Sequence, residues 1–194
     1  YERPMKLTAV TATTSEPAVV AAPAEAPTEA AAAVAHPTSG MVKKQATPVA
    51  TENPLNQVYT AYFLLKDALV ATDGKAAATE AGTLLSAVDN VKMESLNDAQ
   101  HSVWMKYQQK LHKDAAAIKA TTDTDKQREY FVTLSNNMYE VMKTVKPGTQ
   151  VYLDHCPMYN DGKGANWLSK EKGIKNPYYG KQMMTCGNVK ETIE

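Results

Sequence analysis

The sequence predicts an all-α domain, an antiparallel four-helix bundle followed by a loop-rich segment of Cys, Met and aromatic residues. Three observations carry this. Apolar residues recur at helical spacing from residue 53 to 147. Short polar turns with capping residues separate the periodic stretches. From residue 148 that periodicity stops and turn residues take over.

Asn53 followed by Pro54 reads as an N-cap and first helical residue. Leu55, Val58, Tyr62, Leu65 and Leu69 then share one face up to Asp73–Gly74. A second helix is expected from about residue 75 to 92, burying Ala77, Ala81, Leu84, Leu85, Val88 and Val91. Asn97 or Asp98 opens a third, with Trp104, Tyr107, Leu111, Ala115 and Ile118 on its inner face. Asp123 or Thr124 opens a fourth, whose Phe131, Leu134, Met138, Val141 and Val145 follow a seam-type repeat ended by Pro147–Gly148. Four helices of roughly 18 to 24 residues with short connections make an antiparallel bundle the economical packing.

Residues 1–52 differ in kind. The run VVAAPAEAPTEAAAAVAHPTSG is Ala, Pro, Thr, Val and Glu, and Pro17, Pro23, Pro27, Pro37 and Pro48 interrupt any helix. Such a composition buries too little surface to offset its ordering entropy, so it is expected to be a tether. It would act as a spacer from a membrane anchor or as an arm held along a larger complex. The first residue is Tyr1 rather than Met, which leads one to expect a signal peptide or anchor upstream.

Within 148–194, QVYLD reads as a short strand, CPMYNDGKGANW as turns, WLSKEKG as one helical turn and NPYYG as another turn. Trp167, Tyr178 and Tyr179 are expected to anchor this segment on the bundle.

Charge narrows the function classes. Lys and Arg number 21, as do Asp and Glu, so the basic surplus that drives nucleic-acid binding is missing. No run of about 18 apolar residues is present to span a membrane. The sequence also lacks CxxCH, HExxH, GxSxG and P-loop patterns, and the expectation is a protein that is not an enzyme.

The chemistry-bearing cluster is Asp154-His155-Cys156-Pro157-Met158, answered by Met183-Met184-Thr185-Cys186-Gly187. Imidazole, thiolate and thioether together suit Cu(I), with zinc as the harder competitor. Alternatively, Cys156 and Cys186 form a disulfide that staples a poorly cored segment, contributing about 3–4 kcal/mol. Separately, Met183 or Met184 also reads as a core gap-filler and His155 as a surface residue. With the disulfide formed, a metal site would lean on His and Met, which still suits copper. On the third helix His101, Met105, Gln108 and His112 form a stripe, with His101 the stronger ligand candidate and Met105 behind it. Met138 and Met142 read as core, and His36 as solvated.

The run from Tyr62 to Ile193 resembles a periplasmic helical domain found alone or fused to CusB-type heavy-metal efflux adaptors. The stretches that carry this are YFLLKDALVATD, HSVWM and DKQREYFVTLSNNM, then VYLDHCPM, ANWLSKEKGIKNPYYG and MMTCGNVKETI. The resemblance implies that the HCPM and MxCG segments gather near one bundle end and handle copper or silver in the cell envelope. By position, the implied ligands are His155, Cys156, Met158, Met184 and Cys186, with His101 from the helix. The implied partners are an envelope or membrane complex, an efflux pump or a copper enzyme. The chain departs from fused members in having an Ala/Pro tail where adaptor elements would stand.

Overall fold

The computed structural model describes residues 53–194, so the reading of residues 1–52 as a tether lies outside the described residues. Four helices come first: α1 (Asn56–Ala71), α2 (Gly74–Asp89), α3 (Asp98–Lys119) and α4 (Thr124–Thr144).

Their ends are set by side chains that satisfy orphan backbone groups. Asp73 accepts from the N–H groups of Lys75 and Ala76 to open α2. Asn97 and Gln100 form a reciprocal capping box at α3. Asp123 accepts from Asp125 and Lys126 at α4. Asn53 behaves differently from the expectation. Its carboxamide oxygen accepts from Leu55 N at 2.9 Å, its amide nitrogen donates to the carbonyl of Lys146, and α1 begins only at Asn56. Thr72, at φ 59°, turns the chain out of α1 and allows Asp73 to cap the next helix at once. α1 and α2 have 16 residues each, shorter than the periodicity suggested, because α1 starts only at Asn56 and α2 stops at Asp89.

The inner faces bury as their spacing requires: Val58, Tyr62, Leu65 and Leu69 from α1 meet Ala81 and Leu84, Trp104 and Leu111, and Phe131, Leu134 and Met138. Short connections make chain neighbours antiparallel. Consequently α3 begins at the bundle end where α1 begins and α4 finishes.

The expected all-α class is wrong. Residues 148–194 contain a three-stranded antiparallel sheet of β1 (Val151–Cys156), β2 (Ala165–Ser169) and β3 (Asn188–Ile193), in the order β2-β1-β3. The segment expected to be loop with one short strand and a helical turn is therefore a sheet layer seated on the bundle. β1 is the short strand expected at QVYLD, whereas β2 and β3 hide because neither alternates cleanly. In β1 the adjacent Leu153 and Asp154 are both buried, and the ladder to β3 is irregular at that point, with Lys190 as the extra residue on β3. β2 is buried almost throughout, and β3 is exposed except at Ile193. In WLSKEKG the Trp-Leu-Ser portion is strand, and the Lys/Glu run that resembled a helix is the turn after it.

An aromatic column joins the layers. Tyr62 stacks on Phe131 with centroids 5.5 Å apart, Phe131 meets Tyr178 at 5.9 Å, and Tyr178 meets the edge of Trp167 at 6.0 Å. The Tyr62 hydroxyl accepts from Leu168 N at 3.0 Å and lies 2.8 Å from Ser135 Oγ, so the sheet is hydrogen-bonded to the bundle core.

Candidate functional site: a paired-thiol corner

The sheet decides where the Cys/Met segments go. β1 ends at Cys156, and β3 starts just after Gly187, with His155 opposite Asn188 in register. Antiparallel pairing of these two ends brings Cys156 and Cys186 together. Their sulfur atoms stand 3.6 Å apart, and both thiols are free. Cys156 is fully buried and Cys186 is half-buried. The neighbouring Cys156 thiol pushes the Cys186 pKa up.

Asn176 holds the second segment in place, and sequence reasoning missed it. It is fully buried. Its N–H donates to the Met184 carbonyl at 2.8 Å and its Nδ2 donates to the Cys186 carbonyl at 2.7 Å. Its Oδ1 accepts from the N–H groups of Tyr178 (2.8 Å) and Tyr179 (3.3 Å). The signal in the sequence is Asn-Pro, a turn-initiating pair that marks the turn but not the anchor. Arg128 of α4 fixes the same loop. Its Nε donates to the Pro177 carbonyl at 2.9 Å, while Nη2 reaches Thr72 Oγ1 (3.1 Å) and Nη1 reaches Asp125 (3.2 Å). Gly180 completes the docking at φ 54°, where an added Cβ would stand 2.3 Å from Thr72 Oγ1 and 2.9 Å from the Val70 carbonyl.

Tyr179 borders the thiols, and the charges of Cys156 and Cys186 help to raise its pKa after the larger effect of desolvation. Its hydroxyl donates to the Met158 carbonyl at 3.1 Å. Tyr179, Met158, Tyr159 and Glu129 line an open groove of about 550 Å³. Burial, with Glu129 nearby, pushes the Tyr159 phenol up to about 12.

The other sequence candidates scatter. Met158 is 59% exposed on the groove, Met183 is exposed, and Met184 is half-buried beside the Asn176 anchor. Strand alternation sends His155 to the opposite face of β1 from Cys156. There its Nδ1 lies 2.7 Å from Asn166 Oδ1 and its ring rests against Gly164. His101 and Met105 are exposed on α3, and His101 sits in its first turn, at the bundle end away from Thr72 and Arg128. Gln108 Nε2 approaches the Met105 sulfur at 3.5 Å, and His112 pairs instead with Asp89 at 3.6 Å. Among the described residues no group of three or more His, Cys, Asp or Glu side chains is arranged to hold a metal ion. From those residue types, the arrangement offers the two thiols.

A second chemical feature lies on the same strand, two residues before Cys156. Asp154 is fully buried, neither carboxylate oxygen has a hydrogen-bond partner, and desolvation pushes its pKa to about 7 against the opposing charge of Lys66. Trp167, its cross-strand partner, also has an unpartnered Nε1.

The helices, but for the first two residues of α1, and the turn before β1 fall within one family model. Residues 58–150 carry a DUF3347 domain. The family is described as a protein of unknown function, and the match names neither a ligand nor an efflux adaptor. No curated protein matches the chain, and no solved structure matches it. The DUF3347 match ends one residue before β1, so both cysteines lie beyond it.

Proposed function

We propose that this protein captures a soft metal ion, Cu(I) foremost and Ag(I) as its analogue, between Cys156 and Cys186 and passes it on in the cell envelope. The observation that carries this reading is the 3.6 Å sulfur separation. Two thiolates sharing one ion through bonds of about 2.3 Å stand roughly 3.8 Å apart at a tetrahedral angle and about 4.6 Å apart when the ion has only those two donors. The pair is therefore close enough to share an ion and must open by about 1 Å for a two-coordinate one. A buried thiolate and a half-buried one, with thioethers in the adjoining segments, suit a soft ion that accepts few donors. Zinc, which takes four ligands, would need two more from outside the pair. The half-buried position of Cys186 leaves a side from which an acceptor protein exchanges ligands with the ion. Resemblance to domains fused to heavy-metal efflux adaptors supports the envelope setting and a pump or copper enzyme as the recipient.

Met158 and Met184 are assigned auxiliary roles, as thioethers reached during entry or exit. His155 and His101 are not part of the grip, given their positions on the far strand face and at the far bundle end.

Titration of the reduced full chain with Cu(I) against a competing chelator tests the reading. One equivalent is expected to bind. Cys186→Ala and Cys156→Ala each lower the affinity by about 100-fold or more, equivalent to about 2.7 kcal/mol. Met158→Leu changes transfer to an acceptor more than it changes affinity. Equal, weak binding by wild type and both cysteine variants would remove the proposal.

A further inference from the structure

The same pair differs from a simple chelate in one respect: its two sulfurs are unequally accessible. Cys156 is sealed in the core at the end of β1, while Cys186 lies on a short stretch between the 3-10 turn at Gly180–Gln182 and β3. That stretch is tied to Asn176 through backbone carbonyls, leaving the Cys186 side chain free of the anchor. We propose that the pair is a thiol–disulfide exchange site, in which Cys186 receives small-molecule disulfides and Cys156 resolves the adduct.

The chemistry balances without a cofactor. The Cys186 thiolate attacks one sulfur of a disulfide such as oxidised glutathione. The glutathione S–S bond breaks, a mixed disulfide forms on Cys186, and the first glutathione thiolate leaves and takes up a proton. The Cys156 thiolate then attacks the Cys186 sulfur, and the mixed disulfide breaks. The second glutathione leaves with the other proton. Two protein thiols are oxidised to one disulfide, and one glutathione disulfide is reduced to two thiols.

Geometry favours the second step. The attacking sulfur already stands 3.6 Å from its target. Closure to a bond of about 2.05 Å asks for a shift of roughly 1.5 Å, shared between two side chains and the Cys186 stretch. An open groove lies nearby, lined by Met158 and by Tyr179, whose phenol feels the charges of both thiols, although neither cysteine lines it. Because the disulfide has no thiolate to donate, closure and metal capture exclude one another. This consequence rests on the metal reading above, but the exchange site itself does not.

Intact-mass analysis of the full reduced chain after exposure to oxidised glutathione is the test. Wild type should end as the internal disulfide without a lasting adduct. Cys156→Ala should retain one glutathione on Cys186, and Cys186→Ala should remain unmodified while folded, as circular dichroism checks. Lasting glutathione adducts on wild type would overturn the proposal, as would labelling of Cys156 in Cys186→Ala at the rate of Cys186 in Cys156→Ala. If either variant fails to fold, iodoacetamide labelling of native wild type decides the order. Cys186 should be alkylated first, and equal rates would overturn it. A parallel Ag(I) titration separates the two ideas. Exchange as expected, with no Ag(I) bound by the reduced chain, overturns the metal reading and upholds the exchange site. Ag(I) bound without the expected exchange does the reverse.

Discussion

Asp154 shows how a single side chain ties stability to pH. Its carboxyl is buried without a partner, and its pKa of about 7 lies above the ordinary value of about 3.9. Between those two values the folded chain holds a proton that the unfolded chain has released. Stability from this group therefore falls as pH rises from about 4 to 7 and is level above that. The change is on the order of 1.4 kcal/mol for each pH unit in the window. Asp154→Asn should flatten that slope and raise Tm at pH 8, because the amide avoids burying a charge. Thermal melts from pH 4 to 8 check it, and an unchanged slope would contradict the assignment. Tyr62 acts in the opposite sense: Tyr62→Phe leaves the buried Leu168 N–H without its acceptor and should cost about 1–3 kcal/mol, read by chemical denaturation.

At the scale of elements, the loop between β2 and β3 sets the thiol geometry from a distance. Asn176→Ala removes three of the residue's four anchoring hydrogen bonds, those of its side chain, and keeps the backbone N–H to Met184. The Cys186 segment should then loosen, lowering Cu(I) affinity without unfolding the helices. Competition titration beside far-ultraviolet circular dichroism separates the two effects. The helices were legible because each carries its own period and cap, as Asn97 with Gln100 illustrates. The sheet was not. Its strands are 6, 5 and 6 residues long, and each is defined by partners far along the chain. The candidate site was legible in part for the same reason. Cys156 and Cys186 could be named from their segments, whereas the separation of His155 from Cys156 depends on which strand face each occupies. Asn176 and Arg128 escaped notice because their role is to hold backbone carbonyls, and no sequence spacing records that.

For the whole molecule, the DUF3347 match ending at residue 150 is not a boundary of the fold. Trp167, Leu168, Tyr178, Val151 and Ile193 are all buried with the helices in one core. Each such side chain contributes about 1.5–3 kcal/mol on burial, together more than the low end of the 5–15 kcal/mol that keeps a domain folded. A fragment of residues 53–150 should therefore lose cooperative unfolding and bind a hydrophobic dye, whereas 53–194 melts in one sharp transition. A sharp melt for the shorter piece would refute the shared core. The position of the thiol pair has a further effect on motion. Residues 156 and 186 are 30 apart in sequence, so any bridge between them, ionic or covalent, encloses Pro157 to Thr185 in a ring. Ringed in this way, β2 and the aromatic turn can no longer peel from the helices independently of β3. Amide exchange across that stretch should slow on bridging, while the amides of α3 keep their original rates.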